Sequence, residues 1–258
     1  MSKNGEKKAA PRPGTVRSFV VRRARMNELH RRAIERLSDE FVLELDDSRV
    51  NTGHSLFDRF PSGACRRRIF EIGFGMGYAT ARIAADWPQT CILGSEVYPP
   101  GVGKLLAEIE RRGLTNVRIV RRDAVDVLNY GIREGELDGM HIFFPDPWPK
   151  KRHHKRRLIQ PRFLDLAARR IAPGGYLYIA TDWEDYAEHI AHVLEDCGMF
   201  ENESPLERDP RFSEPADWRP RTAFERKGLA KGHVVREFRY IRKRIGTEET
   251  AGRADGGA

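Results

Sequence analysis

Asp146 is framed by prolines. The stretch "FFPDPWPKKRHHKRR", Phe143 to Arg157, ends an apolar run, sets one carboxylate between Pro145 and Pro147, and continues with Trp148 and Pro149. Three prolines within five residues fix φ and lower the entropy of the loop. A carboxylate held that way can orient a reactant or stabilise positive charge as it develops. Eight consecutive Lys, Arg or His residues follow, Lys150 to Arg157, with six formal positive charges. Lys151, Arg152, His153, His154, Lys155, Arg156 and Arg157 are therefore candidate contacts to nucleic-acid phosphates, which orient an RNA without reading its sequence. The bland alternative is a solvated charged face. His153 and His154 are adjacent, point in different directions, and have no acid or cysteine cluster to complete a metal site. No metal is expected.

A second set of chemistry-bearing residues precedes this one. "EIGFGMG" covers Glu71 to Gly77, and Gly73, Gly75 and Gly77 permit a tight turn with close approach of a ligand to backbone. The dinucleotide spacing G-x-G-x-x-G would need glycine where Tyr78 stands, and no phosphate-loop lysine follows. An adenosyl ligand without a pyrophosphate fits better than NAD or ATP. Glu96 in "GSEVY" could accept hydrogen bonds from both ribose hydroxyls. Asp123 in "RRDA" could accept one from an adenine amino group. Taken singly, each acid is also a plausible helix cap or solvated carboxylate, and the glycines an ordinary strand-to-helix turn.

These residues need a frame. Strands are predicted at 68–73, 91–96, 117–122, 138–144 and 175–182. Helices are predicted at roughly 26–38, at "YATARIAADW", "VGKLLAEIERR", "PRFLDLAARRIA" and "WEDYAEHIAHVLEDCG". Pro161 suits a first helical turn. The alternation implies an α/β fold, a mainly parallel central sheet with helices on both faces, in which ligands bind beyond the carboxyl ends of the strands. Each motif above falls at such an end.

The chain has 258 residues, 46 basic and 38 acidic, for a net charge of +8. That suits one large domain, placed at 26–244, between a basic tail at 1–25 and a low-complexity tail at 245–258, both expected to be disordered. No segment approaches the roughly 18 apolar residues of a membrane span, and the N-terminus lacks the apolar core of a secretory signal. Cys65, Cys91 and Cys197 are odd in number. Cys91 lies in an apolar run and reads as a buried, reduced thiol, which points to a reducing, cytoplasmic compartment.

Taken together, the three strand ends resemble the S-adenosylmethionine site of a Rossmann-like class I methyltransferase. The order "EIGFGMG", "GSEVYPPGVG", "RRDA", "FPDPWPKKRHHKRR", "IATDWEDYA" and "TAFERKG" resembles, more narrowly, the bacterial tRNA (guanine-N7-)-methyltransferase family, over about residues 68–240. The resemblance implies that Glu71, Glu96, Asp123 and Asp146 contact S-adenosylmethionine, with Asp146 also the catalytic residue. It further implies that Lys150, Asp182 and the Thr222–Glu225 segment, Phe224 included, contact the tRNA. The expected product is N7-methylguanosine, at position 46 of the variable loop.

N7 of guanine has a lone pair and no proton to lose. The reaction therefore needs alignment and charge stabilisation rather than a strong base. N7 sits in the deep groove of A-form RNA, so the base must be unstacked or already exposed. Asp182 or Glu225 is expected to accept from guanine N1–H and its amino group. The competing readings are methylation of another RNA, of DNA or of protein on the same fold, and a non-catalytic RNA-binding module. A nicotinamide dehydrogenase fits least. No docking feature for a second subunit stands out, so a monomer or homodimer is expected.

Overall fold

The structure is a computed structural model and describes residues 26–46 and 53–244. Both expected tails lie outside these residues. In chain order the strands are β1 (Val42–Leu43), β2 (Arg67–Ile72), β3 (Thr90–Ser95), β4 (Val117–Val120), β5 (Leu137–Phe143), β6 (Ile171–Thr181), β7 (Phe200–Asn202), β8 (Pro205–Leu206), β9 (Asp209–Ser213) and β10 (Arg236–Arg242). The helices are α1 (Glu28–Phe41), α2 (Tyr78–Asp86), α3 (Pro99–Arg112), α4 (Ala124–Tyr130), α5 (Pro161–Arg170), α6 (Glu184–Cys197) and α7 (Ala223–Leu229). All five strands expected from the sequence are present, as are the helices expected with them.

Eight strands form one sheet in the order β1-β4-β3-β2-β5-β6-β10-β7. The pairs from β1 to β6 are parallel, and β10 runs antiparallel to both β6 and β7. After β1, which lies at one edge beside β4, the chain enters the middle of the sheet at β2, moves outward through β3 and β4, then returns to lay β5 against the other side of β2. That reversal between β2 and β5 is the switch point where ligands of such sheets bind.

Alternate residues of each strand bury on opposite faces, as a pleated strand requires. Ile69 and Ile92 pack with Leu105 and Ile109 of α3 on one face, while Phe70 and Leu93 pack with Leu164 of α5 and Ile190 of α6 on the other. Each such fully buried side chain contributes roughly 1.5–3 kcal/mol. Over β5 and β6, the α1–α3 face is completed by Trp218. Its ring stacks on buried His141 at 5.2 Å and meets Trp87 at 4.7 Å. Burial, with Arg67 adding repulsion, holds His141 down at about 3, so this ring is a neutral packing element. The Trp218 segment leads directly into α7.

One sequence expectation is overturned. Cys91 is fully buried as expected, but it is joined to Cys65 in a disulfide rather than kept as a thiol. The reason is register. Cys65 enters β2 where it runs beside β3, Arg66 N–H donates to the Gln89 carbonyl at 2.9 Å, and the two Cα atoms come within 5.1 Å. The cysteines therefore give no support to a reducing compartment. Among the described residues no helix is long and apolar enough to cross a membrane.

Candidate active site

The end of β2 turns through Gly73, Gly75 and Gly77, with φ of 71°, 56° and 71°. The loop is also crowded from behind. A Cβ on Gly77 would lie 2.7 Å from Leu105 Cβ, and one on Gly101 would lie 1.9 Å from the Gly75 carbonyl oxygen. Glycine is thus required both on the loop and on the helix that backs it. Glu96, just past β3, braces the assembly. Its Oε2 accepts from Gly75 N–H at 2.8 Å, and its Oε1 accepts from the amides of Val97 and Tyr98 at 2.7 and 2.9 Å. Each carboxylate oxygen has two lone pairs, so one acceptor site remains, on Oε2, for a ribose hydroxyl. Burial raises the Glu96 carboxyl above its usual range, against the three amides that favour its charge.

Glu71 is different. It is 2% exposed, and the equally buried Thr80 hydroxyl lies close enough to favour its charged form, although neither its Oε2 nor that hydroxyl makes a hydrogen bond of good geometry among the described residues. Burial, against the Thr80 hydroxyl and with the Glu96 charge, pushes the Glu71 carboxyl up to about 7. Asp123 caps α4, accepting from Val125 N–H at 2.9 Å through Oδ1. The helix-cap alternative for Asp123 is therefore realised, without excluding a ligand contact by the same carboxylate.

Across the switch point, β5 ends in the proline frame. Asp146 is exposed between Pro145 and Pro147. Phe144 and Trp148 flank it at φ of 54° and 46°, the two non-glycine residues at positive φ among those described. Bulky side chains rarely adopt that conformation, and holding them there costs of order 1–3 kcal/mol each. Several contacts hold the loop. Phe144 N–H donates to the Ala180 carbonyl at 2.8 Å, and Arg157 Nε donates to the Pro147 carbonyl at 3.0 Å. The Arg156 guanidinium lies 3.7 Å from the centre of the Trp148 ring.

The basic run forms a 3-10 helix, Lys151–Arg156, and divides into two groups. Lys150, Lys151, Arg152 and Lys155 are exposed, while His153, His154 and Arg156 are half-buried. Arg157 is 3% exposed, stacks on Tyr186 at 4.9 Å, and pairs with Asp185. Arg157, expected from the sequence to contact phosphate, turns its guanidinium inward here and braces the Asp146 loop. His154 lies 3.7 Å from the same Asp185. Desolvation, then the cations Arg152, Arg156, Lys150 and Lys155, lower the His153 proton affinity.

The "TAFERKG" segment supplies α7. Thr222 caps the helix, its hydroxyl accepting from Glu225 N–H at 3.2 Å. The side chain of Phe224 lies outside the described set. Glu225 turns inward, 2% exposed, and Arg219 donates to its two oxygens at 2.9 and 2.6 Å. Arg219 also donates to Glu237 of β10 at 2.6 Å, and Glu237 accepts from the Tyr178 hydroxyl. The hydrogen bonds to the two glutamates outweigh burial and keep Arg219 firmly charged. Of the two acids expected to read guanine, Glu225 is thus committed to an internal ion network. Asp182, at the end of β6, keeps 16% of its side chain exposed and pairs with His233.

Sequence reasoning missed Arg219 and His233. Both sit in short polar stretches, "WRPR" and "KGHV", without periodicity. Only the "T-x-x-E" spacing at Thr222 and Glu225 signalled a helix start there.

The chain matches, over residues 66–238, a protein family described as "Putative methyltransferase". Its fold is similar to that of the 16S rRNA methyltransferase KamB (TM-score 0.53, 14% identity, 78% of this chain and 96% of that one). It is similar also to an antibiotic-related methyltransferase (TM-score 0.51, 16% identity, 80% and 98%). In sequence it is 47% identical to a tRNA (guanine-N(7)-)-methyltransferase of Alkalilimnicola ehrlichii over 95% of this chain and 98% of the relative. It is 44% identical to one from Chromohalobacter salexigens, over 89% and 91%. Methyltransferase architecture, the glycine loop beside a proline-framed acid, and close similarity along nearly the whole length converge: this chain belongs to the tRNA (guanine-N7-)-methyltransferase family.

Proposed function

We propose that this protein transfers a methyl group from S-adenosylmethionine to N7 of guanosine in tRNA, at position 46 of the variable loop. The observation that carries the reading is the pairing of two loops on adjacent parallel strands. The glycine loop of β2 is braced by Glu96, and the strained proline loop of β5 presents Asp146 beside a rim of exposed cations. Residues 26–244 act as one methyltransferase domain, working in the cytoplasm as a monomer or homodimer.

The residues present fit the donor. The buried Glu71 carboxyl, with an oxygen not firmly hydrogen-bonded, suits a donor, the Gly73–Gly77 turn admits close approach, and Glu96 and Asp123 can accept from ribose and adenine. S-adenosylmethionine supplies an electrophilic methyl group on a sulfonium. No proton leaves N7, so Asp146 serves as a positioning and electrostatic group, not as a base. Two strained residues and three prolines keep it from relaxing away as charge moves onto the purine. Lys150, Lys151, Arg152 and Lys155 hold the RNA backbone near that point, and Asp182 reads the edge of the unstacked guanine.

The test compares an unmodified tRNA with the same tRNA carrying 7-deazaguanosine at position 46. The first should accept methyl and the second should not. Equal methylation of both would overturn the assignment of the atom or the site.

A further inference from the structure

Asp182 follows β6 directly, next to the strand that carries Asp146. Phe143 is in register with Ala180. One oxygen of Asp182, Oδ2, accepts from His233 Nδ1 at 3.1 Å; among the described residues nothing donates to Oδ1. His233 lies 51 residues further along the chain and is brought back by the turn that ends α7. The amides of Lys231 and His233 both donate to the Gly228 carbonyl, at 2.9 and 3.1 Å, and Gly232 takes φ of +84°. Gly228 is where this turn meets the acid. A Cβ there would lie 3.0 Å from Asp182 Oδ2, so a side chain would press on the acid, and 3.5 Å from His233 Nδ1, an ordinary contact. The contact is therefore built by the fold and not a chance meeting of two surface groups.

A carboxylate free to rotate presents its lone pairs in many directions. Guanine offers N1–H and an amino group side by side, which match the two oxygens of one carboxylate in a single plane. Holding Oδ2 with a ring N–H fixes that plane. The remaining lone pair on Oδ2 and those on Oδ1 stay available.

We propose that His233 is a positioning residue for the target base, orienting Asp182 so that its carboxylate accepts from guanine N1–H and the exocyclic amino group. The inference rests on the guanine reading of this site given above.

The experiment measures kcat and KM for wild type, His233→Ala, His233→Asn, Asp182→Asn and the Asp182→Asn/His233→Ala double variant. Each is assayed on tRNA with guanosine at the target and on the same tRNA with inosine, which keeps N7 but lacks the amino group. Wild type should favour guanosine by at least about tenfold, because inosine leaves an acceptor unpaired. Asp182→Asn and His233→Ala should both lower kcat and narrow that ratio. His233→Asn, which keeps an N–H near the Nδ1 position, should restore most of it. The double variant should be no worse than Asp182→Asn alone, with S-adenosylmethionine affinity unchanged throughout. If His233→Ala lowers the rate with the guanosine-to-inosine ratio intact, or leaves both at wild-type values while Asp182→Asn is impaired, the role of His233 is overturned and the guanine reading stands. If Asp182→Asn itself keeps wild-type kcat and ratio, the guanine reading of Asp182 fails.

Discussion

The donor side and the acceptor side of this site are built differently. On the donor side, β2, β3 and β4 each place one functional group at a strand end, and backbone amides or helix caps hold it there. On the acceptor side, the conspicuous charges divide between two jobs. Lys150, Lys151, Arg152 and Lys155 face outward, whereas Arg157, Glu225 and Arg219 are buried and tie the loop, α7 and β10 together. A run of like residues in a sequence is thus not a run of like functions. One part faces outward as a cationic rim, and the other holds that rim in shape.

The largest effect that would sharpen this contrast is on Arg219. Replacing it with Met leaves Glu225 and Glu237 buried without their cation, and the loss should be about 3–5 kcal/mol in chemical unfolding. A loss under about 1 kcal/mol would show that the acceptor side does not depend on this network. Asp146→Asn comes next: it should lower kcat about 10²–10³-fold, while its melting temperature stays close to wild type because the residue is exposed. A normal kcat would remove Asp146 from the chemistry.

On the donor side the sensitive group is Glu71. Its folded carboxyl is raised from 4.5 to about 7, so the favourable protonated state is fully present below about 4.5 and is lost as pH rises toward 7. Ligand-free wild type should lose up to roughly 3 kcal/mol across that window through this group. Glu71→Gln should flatten that stretch of the stability–pH curve. An unchanged curve would mean that Glu71 finds a partner in solution. The smallest effect separates the outer cations from the inner one. Changing Lys151, Arg152 and Lys155 to Ala should reduce the dependence of tRNA binding on salt by roughly 2 log units per decade, at about 0.7 per contact. Arg157→Ala should destabilise the loop and leave that slope nearly unchanged.

The sheet was readable in the sequence because its central strands are short apolar runs closed by glycine, acid or proline, with helical patterns between them. β7 to β10 were not, because strands at this end carry Arg and Glu among their apolar residues: "REFRYIR" reads as charged until β6 pairs with it. The donor acids could be found by position alone, since each ends a strand. The inward turn of Arg157 could not, because its partner Asp185 lies 28 residues away; Glu225 pairs with Arg219 six residues before it, but that pair is closed by Glu237, 18 residues from Arg219. The strained backbone at Phe144 and Trp148 was foreshadowed by the prolines, which restrict the residues before them, but its left-handed form was not. The Cys65–Cys91 link needed the strand register.

The methyl acceptor atom is read most directly with unmodified tRNA, the full chain and S-adenosylmethionine carrying a labelled methyl group, followed by chemical cleavage at N7-methylguanosine. Wild type should form one labelled nucleotide, N7-methylguanosine at position 46, which is nearly absent with Asp146→Asn. Label at another base atom, or no label in tRNA at all, would contradict the proposed function.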